Sequence, residues 1–259
     1  MRAKIFRLAL WSPEDSSQRV TGAFLNAIGI LFGGLFGLAR RPPISARSQY
    51  FFKTVLGVFT IFFGLQLVWL SVNGTFLSCL KQIFIALLAV MLGNSIGKLL
   101  RLQKISNHLG RFAERLIAIV QSNAPRKISD GFNAGTILFC AAPLGLLGAV
   151  TDGLSGYFYL LAVKAVMDGL AMTGFVKMFG WSAALSAFPV FIFLGTIAWA
   201  CQFYVGPFLT AYNLMDSANA TAGFVACTVA LVIFEIRKVE LANFLPSLAV
   251  APLLTWLLK

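Results

Sequence analysis

Lys164 and Asp168 are the residues of this chain best placed to do chemistry. Four positions apart, they share one face of a helix, and both fall inside an apolar run. An unpaired Asp or Lys at the centre of a membrane helix costs ~2.5–3.5 kcal/mol on insertion scales. Such residues face the interior of a bundle, pair with one another and mark an ion or substrate path. Asp168 sits deeper than Lys164, and a carboxyl group at that depth can carry a proton. The competing reading is an interior salt bridge that only holds the bundle together, with Lys164 reaching toward the outer surface.

Asn26 and Asn133 open two different apolar runs and are the next candidates to line a solute site. Gln66, Asn94 and Asn243 are weaker ones, because an amide inside a membrane bundle more often glues helices by hydrogen bonding. Pro143, ten residues past Asn133, interrupts its helix and frees carbonyls of the kind that bind cations. Pro246 does the same early in the last run. The polar stretch Asn213–Gly223 reads as an outer loop, with a re-entrant or gating segment as the alternative. Gly29, Gly33 and Gly37 form two linked G-x-x-x-G steps, which let helix backbones approach closely in lipid. Gly131 and Gly135, then Ala141, Gly145 and Ala149, repeat that spacing and bring the two runs to the bundle centre.

Other chemistries find little support. Cys79, Cys140, Cys201 and Cys227 lie one per apolar run with no C-x-x-C spacing. His108 is the only histidine, so neither a metal site nor a metal-dependent hydrolase is expected. Walker A, Rossmann, G-x-S-x-G and Ser-x-x-Lys signatures are absent. The expectation is a protein without cofactor that is not an enzyme.

The elements that must position these residues are membrane helices. Of 259 residues, 59% are hydrophobic and 12% charged, against about 25% charged in soluble domains. Mean hydropathy is +0.84. Apolar runs near Val20–Leu38, Thr54–Val72, Phe76–Ser95, Gly131–Val150, Tyr157–Val176, Ala183–Val205, Ala218–Phe234 and Leu241–Leu258 approach the ~20 residues that cross a bilayer. The fold class expected is therefore all-α: a polytopic membrane helix bundle of about eight spans, forming a single domain over residues 20–259. Residues 1–19 read as an N-terminal extension, interfacial or preceding the native start.

Charge orients the spans. Fourteen of the 21 lysines and arginines fall in every second gap between runs: Arg40, Arg41, Arg47 and Lys53; Lys98, Arg101, Lys104, Arg111, Arg115, Arg126 and Lys127; Lys177; Arg237 and Lys238. The remaining gaps hold Lys81 against Asp152 and Asp216. Positive loops stay cytoplasmic, so the basic gaps face the cytoplasm and both termini the outside of an inner membrane. The net charge of +12 lies beside apolar runs, which points to lipid headgroups rather than nucleic acid. Oligomeric state is not readable.

Within the third gap, Leu102, Ile105, Leu109, Phe112, Leu116 and Ile119 oppose Arg101, Lys104, His108, Arg111 and Arg115. This is a basic amphipathic helix, about 98–122, lying in the headgroup plane. It separates two stretches with similar openings: Asn26-Ala-Ile-Gly-Ile-Leu-Phe32 and Asn133-Ala-Gly-Thr-Ile-Leu-Phe139. The copies open the first and fourth runs, three spans apart, so the second enters the membrane in the opposite sense. They therefore predict an inverted repeat, about 20–97 against about 130–259, with a solute site at its interface.

Phe132-Asn133-Ala134, Asp152-Gly153-Leu154-x-Gly156, Lys164-x-x-x-Asp168-Gly169 and Ala242-Asn243-x-Leu245-Pro246-x-Leu248 resemble the YqgA/YdfK-type bacterial membrane proteins. The resemblance covers the chain from about Thr21 onward. It implies a multi-pass inner-membrane protein of transporter type and carries no assigned site residues. Together, the residues and the resemblance lead to the expectation of a secondary transporter or channel for a small solute or ion. The alternative is a membrane protein that binds a partner or shapes the bilayer without transport.

Overall fold

The computed structural model describes residues 20–39, 45–121, 128–237 and 239–258; the extension at 1–19 lies outside them. The described residues form eleven α-helices and no strand: α1 Thr21–Ala39, α2 Ala46–Ser71, α3 Phe76–Leu99, α4 Leu102–Gln121, α5 Ile128–Cys140, α6 Pro143–Ser155, α7 Tyr159–Phe179, α8 Ala187–Ala200, α9 Gly206–Ala211, α10 Met215–Ile233 and α11 Ser247–Leu257. Hydrocarbon offers the backbone no hydrogen-bond partner, so apolar runs of this length close their own ladders as helices. Ser45 caps α2 by accepting from the Ser48 N–H at 3.2 Å. Gly156, at φ 71°, ends α6 in the left-handed conformation that glycine adopts without strain.

Each expected apolar run is helical, but the eight are not equal spans. Six helical segments are long and apolar enough to cross: Thr21–Ala39, Ala46–Ser71, Phe76–Leu99, Tyr159–Phe179, Trp181–Ala211 and Met215–Ile233. The fourth run is broken into α5 and α6, bent by 61°, and makes a seventh span if the pair counts as one. The cause is Pro143: without an N–H it cannot bond the Phe139 carbonyl, and its ring crowds the preceding turn. The last run, Leu241–Leu257, is shorter and contains Pro252. In the sixth, a π-turn at Cys201–Val205 directs the Gly206 N–H to the Cys201 carbonyl, just before Pro207.

Three long-range pairings organise the bundle. Helix α1 runs parallel to α7: Gly22 lies against Leu161, Gly29 against Ala165, Gly33 against Gly169 and Gly37 against Thr173 and Val176. Helix α2 runs antiparallel to α10, with Gly57 against Phe234 and Gly64 against Gly223 and Cys227. Helix α3 runs antiparallel to α11, with Gly93 against Ser247 and Gly97 against Asn243. In the second and third pairings, polar contacts tie the basic gaps together at one end. Lys53 pairs with Glu235, the Gln103 N–H donates to the Asn243 side-chain Oδ1 at 3.1 Å, and the Ala242 N–H donates to the Gln103 Oε1 at 3.2 Å. At the other end Asn73 donates to Asp216 at 3.4 Å and Lys81 to the Leu258 carbonyl at 2.8 Å.

Helix α4 packs beside α5 and the turn at Leu241–Phe244. It leaves Ile105, Leu109 and Phe112 exposed on one face, as an interfacial helix does.

The heptapeptide likeness does not extend to equivalent packing. Asn26 is fully buried, whereas Asn133 is exposed. The glycine stripe of α1 faces α7, while Gly131 and Gly135 of α5 face Phe179, Ser182 and Ser186. The two repeat-opening helices therefore do not meet through their stripes.

Candidate functional site

The buried charges sit where α7 passes between α1 and the α5–α6 break. Lys164 is 1% exposed and Asp168 7%; their side chains form an ion pair within one helix face. Gly145 of α6 makes this burial possible. A Cβ there would come within 2.7 Å of the Lys164 Cε, so a larger residue would force the lysine stem to shift. The Lys164 ammonium lies 5.8 Å from the Phe139 ring centroid, in range of a cation–π contact. Cys140, the last residue of α5, is near enough to feel both charges. From the α1 side, Asn26 stands beside the Asp168 carboxyl. Neither amide atom of Asn26 has a partner in good hydrogen-bond geometry among the described residues.

The helix break adds backbone groups to this cluster. At the end of α5 the Phe139 carbonyl has lost its donor to Pro143. At the start of α6, Pro143 has no N–H to offer and the Gly145 N–H is already taken by the Ala142 carbonyl at 2.9 Å. Interrupted membrane helices present ends of this kind to bound ions and polar solutes. The site thus combines a buried ion pair, an amide beside its carboxyl and a break in the neighbouring span. That set suits a small ionic or zwitterionic ligand.

Of the four residues expected at a site, Lys164, Asp168 and Asn26 come together. Asn133 does not: it lies on the exposed face of α5, pointing away from Ala134 and Gly135, which are buried. Its expected place beside Asn26 is corrected accordingly. Gly29, Gly33 and Gly37 are contact residues, as their spacing predicts. Two of the weaker amide candidates, Gln66 and Asn243, are engaged in hydrogen bonds. Gln66 accepts from the Tyr157 hydroxyl at 3.0 Å, and Asn243 donates to Glu240 at 2.7 Å while accepting from Gln103. Most of the stretch Asn213–Gly223 belongs to α10 rather than to a loop. It contributes Asn219 and Thr221, which are buried with unpartnered side-chain oxygens.

Asp152 was read as an outer-loop charge, and the structure overturns that. It lies within α6 and is 0% exposed. Its Oδ2 accepts from the Gly22 N–H at 2.9 Å, capping α1 across 130 positions of sequence. Its Oδ1 has no partner among the described residues. The available signal was Gly156: read as a helix C-cap, it carries α6 past Asp152 to Ser155.

A bundle of long apolar helices with a buried polar centre defines a polytopic α-helical membrane protein. The chain belongs to the family described as "Protein of unknown function (DUF554)", which matches residues 21–256. It is similar to the "Uncharacterized protein YqgA" of Escherichia coli (strain K12), at 26% identity over 90% of this chain and 94% of the relative. It is also similar to the "Uncharacterized membrane protein YdfK" of Bacillus subtilis (strain 168), at 21% identity over 92% of this chain and 96% of the relative. No solved structure matches.

Proposed function

We propose that this protein is a secondary transporter or channel for a small solute or ion in the inner membrane. The basic end would be cytoplasmic and the C-terminus outside. The observation that carries the reading is the buried Lys164–Asp168 pair beside a broken span, with the Asn26 amide beside the carboxyl. A membrane bundle keeps buried charge and irregular backbone where they serve a path or a site. In this reading Lys164 and Asp168 hold the charged groups of the solute and Asn26 orients it. The basic end rests on anionic headgroups.

The test begins with thermal unfolding of the detergent-purified protein against small ions, amino acids and organic acids at two pH values. A solute at 100 times its Kd stabilises by ~2.7 kcal/mol. The shift is expected to vanish in Asp168→Asn. Uptake into proteoliposomes should then be lost in the same variant; flux unchanged by it would remove Asp168 from the mechanism.

A second reading has its own observation in favour. The pair closes within one helix, and the surrounding small residues serve packing. If the protein only holds a partner or the bilayer, replacing both charges by leucine leaves every activity intact.

A further inference from the structure

We propose that Asp152 is a second binding site, which takes a single positive charge as a proton or an alkali-metal ion at the end of α1 remote from the basic loops. The proposal rests on the transporter reading in that it supplies the coupling cation, but its chemistry stands on separate residues.

Asp152 is 0% exposed, and only one of its carboxyl oxygens has a partner. Its donors are backbone N–H groups, from Gly22 and Ala23 in the first turn of α1. Helices α1 and α8, both packed on α6, contain no charged residue. Helix α7 brings Tyr159, Lys164, Asp168 and Lys177, and there Lys164 is held by Asp168. Helix α5 brings Asp130 and Cys140, α10 brings Asp216 and Cys227, and the π-turn brings Cys201 and Tyr204. Among the described residues the ion pairs are Lys53–Glu235 and Lys164–Asp168; no lysine or arginine reaches Asp152. The partial positive charge at a helix N-terminus offsets only part of a full negative charge in such surroundings. Among the described residues the carboxylate therefore has no balancing cation.

Asn26 is the second observation. It stands four residues beyond Gly22 on α1, about 6 Å along the axis. Among the described residues neither amide atom has a partner in good hydrogen-bond geometry, at 0% exposure, and the side chain lies beside the Asp168 carboxyl. Along α1 the order is thus Asp152, Asn26, Asp168: two buried carboxyl groups with an amide between them. Loading a positive charge on Asp152 weakens its charge-assisted hold on the α1 N–H groups. Helix α1 also carries Asn26 to the Lys164–Asp168 pair, so occupancy at one carboxyl is felt at the other.

The test is thermal unfolding of full-length protein in detergent, wild type against Asp152→Asn. It is run from pH 6 to pH 9 in choline chloride and then with sodium, lithium or potassium chloride at equal ionic strength. Asparagine caps a helix about as well as aspartate, so the variant is expected to fold. If the site takes a proton, the folded chain holds one that the unfolded chain releases. Wild-type stability then falls as pH rises, and the slope is smaller in Asp152→Asn. If it takes an alkali ion, the wild type gains several degrees with that salt and the variant does not. Identical pH and salt responses in the two proteins overturn the proposal.

Should the variant fail to fold, wild-type protein is treated with dicyclohexylcarbodiimide and the adducts are located by mass spectrometry. Labelling at Asp152 that slows at high pH or with the alkali salt supports the site; no adduct at Asp152 overturns it. A solute shift lost in Asp168→Asn alongside an unresponsive Asp152 would sink this inference and leave the proposed function standing. A cation response at Asp152 with no solute shift would do the reverse.

Discussion

Two helix crossings in this molecule are built alike and carry different cargo. Where α1 meets α7, a Cβ at Gly33 would lie 2.0 Å from the Gly169 carbonyl oxygen; where α2 meets α10, one at Gly64 would lie 2.8 Å from that of Gly223. Both use small residues to bring backbones together, as lipid-embedded helices must when burial from water gives no drive. In the first crossing the space gained is filled with Lys164, Asp168 and Asn26. The second holds neutral groups such as Thr60, whose hydroxyl bonds back to the Leu56 carbonyl at 2.7 Å. Its ends are fastened by polar contacts, Lys53 with Glu235 and Asn73 with Asp216. One crossing is a strut; the other is a strut with a charged interior, and that asymmetry marks the candidate site.

The comparison can be broken most forcefully at the charges. Lys164→Leu alone strands Asp168 and is expected to cost about 3–5 kcal/mol, whereas Lys164→Leu with Asp168→Leu costs far less. Thermal unfolding of the two variants checks this, and equal losses would mean that the pair is not a closed unit. Next comes Gly33→Ala, whose methyl meets immovable backbone, at ~1–3 kcal/mol. Gly64→Ala meets the Gly223 oxygen at 2.8 Å and the Cys227 sulfur at 3.0 Å, so its effect should be the smaller of the two. A reversed order would make α2–α10 the tighter crossing. Least of all, Lys53→Gln removes an ion pair whose side chains are 51% and 69% exposed. It should shift stability by less than about 1 kcal/mol, and less still at high salt.

Hydropathy and charge made the helices and the two ends of the bundle legible, because the solvent dictates both. The spacing of Lys164 and Asp168 announced their shared face, and that of Gly29, Gly33 and Gly37 announced a contact. What that contact touches was not legible: α7 lies far along the chain, and no local pattern names it. Asn26 and Asn133 show the same limit. They sit in nearly identical heptapeptides, yet one is buried and the other exposed, because burial is set by the neighbouring helix. Asp152 hid for a different reason. Thr151-Asp152-Gly153 has the composition of a turn, and only the glycine cap four residues later shows that the helix continues.

The pairing of α1 with α7 also has a consequence in time. Helix α1 is complete roughly 140 residues before α7 is finished. At synthesis rates of ~5–20 residues per second, that is roughly 7–28 s. Helices α2 and α3 wait longer still, for α10 and α11. During this interval a fully formed helix with a bare asparagine and an open glycine groove stands in the bilayer without its mate. The three N-terminal helices are thus orphans by design of the chain order, and a ribosome stalled before α7 would leave them to whatever membrane insertase or chaperone shields such surfaces.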